Sequence, residues 1–346
     1  MAEDVKDTAL IAAYDGVVCD LDGVVYRGAD PVPDAPKALR DLRTRGVKVI
    51  YATNNASRVV AEVAEHLAGL GAPATPDDVV TSAEAGAAQL ARSLPAGARV
   101  LALGGEGVAE ALTRAGLEPV RPGDRGDDAG PGRVAAVLQG LGRDLTVRDF
   151  ETAARLLGTG LPWVATNDDA TLPLPWGQAP GNGAYVDLLV TSLGRRPDVV
   201  GKPHPPLYRL ALDHLGTDAS RTLAIGDRLA TDVDGAAAAG LDSAWVLTGV
   251  DLPSDLMQTQ ATPTYVIGSL TDLFRPYAAP VEKHGSWHCG SARARFADGE
   301  LRLDADGASP VEAVRAGVAA LLGEREAGRS PDELSHAAEV VLNGLL

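Results

Sequence analysis

The segment Asp15–Tyr26 constrains the fold more than any other part of the chain. A short apolar run, Val17–Cys19, leads directly into two acids, Asp20 and Asp22. An apolar run of this length ending in acids predicts a buried parallel strand whose carboxyl end opens into a ligand site. There one carboxylate could attack, the other could move protons, and the pair could hold a divalent cation. The alternative is a strand followed by an acidic turn.

The residues around this segment alternate between strand and helix patterns. A predicted helix at Pro31–Arg45 precedes a predicted buried strand at Val47–Ala52, and a helix over Ser57–Leu70 follows. The same alternation of strand and helix patterns resumes at Val199, with a predicted helix over Pro205–Leu215. Such alternation predicts a parallel sheet with right-handed crossovers.

A second alternating block, roughly residues 84–197, interrupts this pattern and predicts an inserted domain. It includes a predicted helix over Val147–Leu157 and a predicted strand at Trp163–Ala165. Within it Leu101–Gly107 resembles a dinucleotide-binding turn, but Glu110 stands where the third glycine belongs, so we interpret it as a tight turn. The Gly, Asp and Pro content of Arg121–Arg133 predicts an exposed loop, and Thr166–Gly183 is expected to be a long irregular segment.

Composition narrows the class of protein. Of the chain's residues, 45% are hydrophobic and 23% are charged, as in ordinary globular proteins. The length of 346 residues is enough for two or more domains. Its net charge of −16 argues against nucleic acid or an anionic membrane as a partner. We predict a cytoplasmic protein for three reasons. Two cysteines do not make a disulfide framework, the N-terminus lacks the basic start of a signal peptide, and no apolar run is long enough to span a membrane.

Polar groups follow further predicted strands or precede helices. Thr53, Asn54 and Asn55 end the second strand, where hydroxyl, amide and backbone N–H groups suit phosphate oxygens or merely cap a helix. Lys202 lies just before a helix and can neutralise a phosphate. Asp227 follows another buried strand, close to Asp232. These acids could join those of the first strand around Mg²⁺, which prefers oxygen ligands.

In their order along the chain, these motifs resemble the four motifs of the haloacid-dehalogenase-like (HAD) phosphatase superfamily. They are Asp20-Leu-Asp-Gly, Thr53-Asn-Asn, Gly201-Lys-Pro and Gly226-Asp227 with Thr231-Asp232. The position of the inserted domain resembles subclass IIA. The resemblance implies an α/β fold with a Rossmann-like parallel-sheet core (residues 1–83 and 198–275), an inserted α/β cap of the C2 type (84–197) and a small C-terminal α+β module (276–346).

The resemblance also implies a role for each matched residue. Asp20 would be the nucleophile that forms an aspartyl-phosphate, and Asp22 would be the general acid and base. Mg²⁺ would be held by Asp20, by the backbone carbonyl of Asp22 and by Asp227. Asp232 would lie next to these ligands without binding the ion directly. The phosphoryl group would be bound by the remaining matched residues, Thr53, Asn54, Asn55 and Lys202. The segment Gln139–Arg143 departs from relatives, which often carry an aspartate there.

The expected activity is Mg²⁺-dependent hydrolysis of small phosphomonoesters, with glycerol 3-phosphate favoured because the long chain with an added tail resembles the glycerol-3-phosphate phosphatases of actinobacteria. Phosphoglycolate, pyridoxal phosphate and nucleotides remain alternative substrates. A non-catalytic sensor of phosphorylated metabolites is the alternative of another class. No nucleic acid or membrane partner is expected, and a homodimer is left open.

The tail after Arg275 is expected to contain a hairpin over Ser291–Leu303, turning at Asp298-Gly299. Helical spacing follows over Pro310–Leu322 and Pro331–Leu346. A segment of this size predicts a marginal module that docks on the rest of the chain and has no chemistry of its own.

Overall fold

The structure is a computed structural model that describes residues 8–122, 133–174 and 176–346. The strands are Gly16–Cys19 (β1), Tyr26–Arg27 (β2), Asp30–Pro31 (β3), Lys48–Thr53 (β4), Val79–Thr81 (β5), Arg99–Leu103 (β6), Glu118–Val120 (β7), Ala136–Gln139 (β8), Trp163–Ala165 (β9), Thr171–Leu174 (β10), Gly177–Pro180 (β11), Asp198–Val199 (β12), Thr222–Gly226 (β13), Asp242–Val246 (β14), Tyr265–Ile267 (β15), Val281–Lys283 (β16), Ser286–Cys289 (β17), Ala292–Ala297 (β18) and Glu300–Asp304 (β19). The α-helices are Ala35–Thr44 (α1), Val60–Gly69 (α2), Ser82–Ala91 (α3), Glu106–Arg114 (α4), Val147–Leu157 (α5), Asn182–Leu193 (α6), Pro205–Leu215 (α7), Asp234–Ala239 (α8), Pro310–Glu326 (α9) and Pro331–Val341 (α10).

The chain forms two compact units, the first made of residues 1–49 and 217–346 and the second of residues 50–216. These units divide the chain at other positions than the predicted domains, whose boundaries near 84, 198 and 276 stay predictions. The expected loop at Arg121–Arg133 lies largely outside the described residues.

In the first unit β1, β13, β14 and β15 lie side by side and run parallel. The predicted strand β1 is buried along its whole length, as is β13. Their register pairs Gly16 with Thr222 and Cys19 with Ile225, so both strands end at the same edge. The predicted helix α1 buries Ala35, Ala38, Leu39 and Leu42, and the chain leaves it through Gly46 at a φ of 81°. The predicted parallel α/β arrangement is therefore confirmed here.

The C-terminal segment belongs to the first unit. The strands β16–β19 form an antiparallel sheet in sequence order, and α9 packs on it. The expected hairpin is present as β18 and β19, and Asp298 and Gly299 both have positive φ, as a tight two-residue turn requires. No pattern in the sequence predicts β16 and β17. Val314 and Leu321 of α9 share one core with Leu229 and Trp245, so this segment completes the core of the unit.

The second unit contains the parallel pair formed by β4 and β5, and β4 itself begins in the first unit. Its larger sheet is also parallel, in the order β12-β9-β8-β6-β7, and matches the alternation predicted for this block. Helix α5 has the predicted bounds and packs Phe150 and Leu156 into the core of this sheet.

The expectation of a long irregular segment at Thr166–Gly183 is wrong. Strands β10 and β11 form an antiparallel hairpin there, with Thr171 opposite Pro180, and α6 already begins at Asn182. The prolines misled the prediction, because a two-stranded ribbon has a free edge on each side and tolerates residues without an N–H.

Among the described residues, no helix combines the length and the apolar character that crossing a membrane requires.

Candidate active site

Asp20 and Asp22 lie where β1 leaves the sheet. The backbone N–H of Asp20 still donates to the carbonyl of Ile225 on β13, at 2.9 Å, so Asp20 continues the line of the buried strand. The chain then turns through Leu21, and Asp22 is exposed. One acid is thus fixed at the sheet edge while the other stands on a turn open to solvent.

Asp227 follows β13 at the same edge and is 1% exposed. Its carboxylate oxygen Oδ2 accepts the N–H of Val250 at 3.1 Å, and its backbone carbonyl accepts the indole N–H of Trp245 at 3.1 Å. A Cβ atom at Gly23 or at Gly249 would overlap this carboxylate. Both glycines are therefore required to make room for a buried acid.

Asp232 lies in the helical turn Leu229–Val233 and is 3% exposed. Its Oδ2 accepts the N–H of Arg228 at 3.1 Å, and a Cβ atom at Gly226 would overlap its side chain. The turn after β13 thus brings a second buried carboxylate back over the end of the strand that carries Asp227.

Asp20, Asp227 and Asp232 form a carboxylate cluster. Each offers one oxygen, and these oxygens all lie within 4.8 Å of one another. In the described part of the chain, no other group of three or more His, Cys, Asp or Glu side chains meets so closely. Three converging carboxylates fit a hard divalent cation. Asp232, which was expected to lie next to the ligands rather than among them, is part of the cluster. The side chain of Asp22 is not part of it.

In the second unit, the side chain of Asn54 clamps the backbone of Lys202. Its Oδ1 accepts the Lys202 N–H at 2.7 Å, and its Nδ2 donates to the Lys202 carbonyl at 2.9 Å and to Asp169 Oδ2 at 3.3 Å. Lys202 is 4% exposed. The amide of Asn54 therefore fixes the lysine, and both of its donor hydrogens are engaged.

The neighbouring polar residues shape the same loops. Thr53 is buried, and its hydroxyl accepts the N–H of Asn55 at 3.1 Å. Asn55 is exposed, and its Oδ1 accepts the N–H of Ser57. The buried Asn167 donates from its Nδ2 to the Asn54 carbonyl at 2.8 Å. Thr53 and Asn55 thus order the turn after β4, as a helix-capping sequence would.

Two participants were missed from the sequence. Asp169 lies in the segment Thr166–Gly183, which was expected to be irregular, and only the fold brings it to Asn54. Asp251 accepts the N–H of Leu229 at 2.7 Å, and burial raises the pKa of its carboxyl. No sequence signal marks Asp251, because its role depends on a contact between segments 22 residues apart.

Comparison with known proteins agrees with this geometry. The family model described as haloacid dehalogenase-like hydrolase matches residues 17–118, and a second HAD-hydrolase-like model matches residues 199–273. The chain is 40% identical over 314 residues to the D-glycerol 3-phosphate phosphatase of Mycobacterium tuberculosis, covering 88% of this chain and 86% of that protein. It is 34% identical over 259 residues to the 5'-nucleotidase YutF of Bacillus subtilis, covering 75% of this chain and 97% of that protein.

The solved structures point the same way. The crystal structure of the glycerol phosphate phosphatase Rv1692 from Mycobacterium tuberculosis in complex with magnesium matches with a TM-score of 0.81 and 36% identity. The match covers 98% of this chain and 100% of that one. The motif order, the carboxylate cluster at the sheet edge and these likenesses lead to one conclusion: the chain belongs to the haloacid dehalogenase-like hydrolase family and is a phosphatase.

Proposed function

We propose that this phosphatase hydrolyses small phosphomonoesters with the help of Mg²⁺, and that glycerol 3-phosphate is its preferred substrate. The carboxylate cluster of Asp20, Asp227 and Asp232 carries the proposal. Asp20 and Asp227, together with the backbone carbonyl of Asp22, would hold the ion, with Asp232 beside them. When bound, the ion supplies positive charge that offsets the phosphoryl oxygens within a strongly acidic protein.

The proposed reaction has two steps. A carboxylate oxygen of Asp20 attacks phosphorus and forms an aspartyl-phosphate, while the bond from phosphorus to the ester oxygen breaks. Asp22 gives its proton to the leaving alkoxide and then takes a proton from the water that hydrolyses the aspartyl-phosphate. The exposure of Asp22 supports this role, since it leaves the carboxyl accessible to solvent.

We propose that Lys202, Thr53, Asn54 and Asn55 bind the phosphate of the substrate. The burial of Lys202 and the clamp from Asn54 support a fixed position for the ammonium, which acts on phosphate as a point charge. Asn54 would in addition position the lysine, because its amide donates to the Lys202 carbonyl and to Asp169.

The extent of the likeness supports glycerol 3-phosphate over nucleotides. The D-glycerol 3-phosphate phosphatase of Mycobacterium tuberculosis aligns with 88% of this chain, whereas the Bacillus subtilis nucleotidase aligns with 75%. Phosphoglycolate and pyridoxal phosphate are further candidates, and cytoplasmic location and homodimerisation stay predictions.

The test measures phosphate release by the full chain from a panel of about twenty phosphorylated metabolites, with Mg²⁺ and with excess chelator. We expect the highest kcat/KM for glycerol 3-phosphate, no turnover in chelator and recovery on adding Mg²⁺. Asp20→Asn should abolish turnover, because the amide is nearly isosteric but not nucleophilic. The matched control is Asp306→Asn, at an exposed acid of the first unit, which should behave as wild type.

A higher kcat/KM for a nucleotide or phosphoglycolate would contradict the substrate assignment. Turnover by folded Asp20→Asn protein would contradict the covalent mechanism. Binding of these esters without phosphate release would favour the sensor.

A further inference from the structure

The loop of residues 248–254, which follows β14, contacts the carboxylate cluster. The hydroxyl of Thr248 donates to the carbonyl of Gly23, just after Asp20-Leu-Asp, at 2.8 Å. The N–H of Val250 donates to Asp227 Oδ2 at 3.1 Å. The loop therefore supplies a backbone donor that fixes the orientation of one of the three clustered acids.

The same loop holds the turn that carries the third acid of the cluster. Asp251 Oδ2 accepts the N–H of Leu229, the first residue of the turn Leu229–Val233 in which Asp232 lies. A displacement of the 248–254 loop would thus disturb Asp227 directly and Asp232 through its turn.

The far end of the loop is bound to the C-terminal helical segment, which comprises α9, α10 and the residues after α10 (310–346). All three hydrogen-bonding groups of Ser254 contact it. The Ser254 N–H donates to Asn343 Oδ1 at 3.3 Å, its hydroxyl accepts from Asn343 Nδ2 at 3.0 Å, and its carbonyl accepts the hydroxyl of Ser335 at 2.7 Å. Ser335 belongs to α10, and Asn343 follows that helix.

Further contacts strengthen this connection. Arg325 of α9 donates from Nη1 to the carbonyls of Leu256 and Thr259, at 3.2 and 3.3 Å. Trp245, whose indole N–H holds the Asp227 carbonyl, shares its core with Leu334 of α10. The C-terminal helical segment is thus hydrogen-bonded to the chain that follows β14 and shares a core with Trp245.

We propose that the C-terminal helical segment sets the divalent-cation affinity of the carboxylate cluster, with Ser335 and Asn343 as positioning residues that act through Ser254 and the 248–254 loop. The inference rests on the proposed function, because it concerns the ion of the same cluster. It also assigns a role to a segment for which the sequence indicates no chemistry.

The experiment compares Ser335→Ala/Asn343→Ala with Ser309→Ala in the full chain. Ser309 lies in the same C-terminal segment and caps α9 by accepting the Glu312 N–H, but it lies outside the contacts with Ser254. Mg²⁺ binding is measured by calorimetry without substrate, and kcat and KM for 4-nitrophenyl phosphate are measured against Mg²⁺ concentration. Thermal unfolding shows whether each variant is folded.

We expect the double variant to bind Mg²⁺ about tenfold more weakly, at the low end of the effect of groups that orient metal ligands, since it acts one step further away. At saturating Mg²⁺ its kcat should return to that of wild type, and its KM should be unchanged. Ser309→Ala should lose thermal stability but keep its Mg²⁺ affinity. Ser335→Thr, which retains the hydroxyl, should keep the affinity. If the double variant is unstable, the single variant Ser335→Ala replaces it and should bind Mg²⁺ more weakly than Ser335→Thr.

Equal Mg²⁺ affinity in Ser335→Ala/Asn343→Ala and wild type would overturn the proposal, as would an equal loss in Ser309→Ala, which would indicate general destabilisation. Absence of Mg²⁺ binding and of phosphatase activity in wild type would instead overturn the proposed function.

Discussion

Gly249 offers a direct test of how the carboxylate cluster is built. Its backbone does not require glycine for conformational reasons, but a Cβ atom there would overlap the Cβ and Oδ2 of Asp227. In Gly249→Ala, therefore, the Asp227 side chain must move by about 1 Å or more to reach ordinary van der Waals separation. The carboxylate would then leave the position in which its oxygen lies within 4.8 Å of those of Asp20 and Asp232.

The expected cost follows from metal-site energetics. A misplacement of about 1 Å among the groups of an active site can lower the reaction rate about 100-fold. Loss of groups that orient a ligand costs about 10- to 100-fold in metal affinity. At a Mg²⁺ concentration 100 times the wild-type Kd, binding stabilises wild type by about 2.7 kcal/mol. If the variant binds 100-fold more weakly, the same concentration stabilises it by only about 0.4 kcal/mol.

The assay measures the free energy of unfolding with and without Mg²⁺, and the Mg²⁺ concentration that gives half-maximal hydrolysis of 4-nitrophenyl phosphate. Gly268→Ala is the matched control, because the nearest atom to its added Cβ lies at 3.4 Å, an ordinary contact. If Gly249→Ala has the same Mg²⁺-dependent stabilisation and half-saturation as Gly268→Ala and wild type, the reasoning from the packing around Asp227 is refuted.

Three further substitutions test other parts of the reasoning. Asp22→Asn should slow hydrolysis of alkyl phosphates far more than that of 4-nitrophenyl phosphate, whose leaving group needs little protonation; equal losses would exclude the acid role. Lys202→Met should lower kcat/KM by about 100-fold, as removal of a transition-state donor does, whereas Lys37→Met at an exposed ion pair should not; an unchanged value would place Lys202 outside the site. Arg315→Met should lower the urea-derived free energy of unfolding by about 2–4 kcal/mol, because the carbonyl of Val266 loses its donor at 2.7 Å and Tyr277 loses a cation 4.2 Å from its ring centroid. The exposed Arg302→Met should cost less than about 1 kcal/mol, and an equal loss in both would refute the role of burial.

The position of the acids at a sheet edge followed from the sequence alone. Buried parallel strands read as continuous apolar runs, and β1 and β13 do so before Asp20 and Asp227. Helix α5 and strand β9 had the predicted bounds because their apolar spacing is regular and their ends carry strong local signals, such as the capping box of Thr146.

Local sequence patterns did not predict the strands whose formation depends on pairing or packing with other segments. The prolines near Thr171–Pro180 predicted irregular chain, yet β10 and β11 pair there, because pairing in a ribbon depends on the partner strand. Strand β17 forms because it pairs with β18 and packs against α9, and β16 forms because it pairs with β17. The tail therefore completes a shared core, which the sequence suggested only as docking.

The fine structure of the site also needed the tertiary fold. The order of the motifs predicted that Asp20, Asp227 and Asp232 would lie near one another, because parallel strands end at one edge. It could not predict that Asp232 would enter the cluster, that Asn54 would clamp Lys202, or that Ser254 would tie the 248–254 loop to Ser335. Sequence patterns record which face of a strand or helix is apolar. A side-chain contact between distant segments depends on distances that only the folded chain sets.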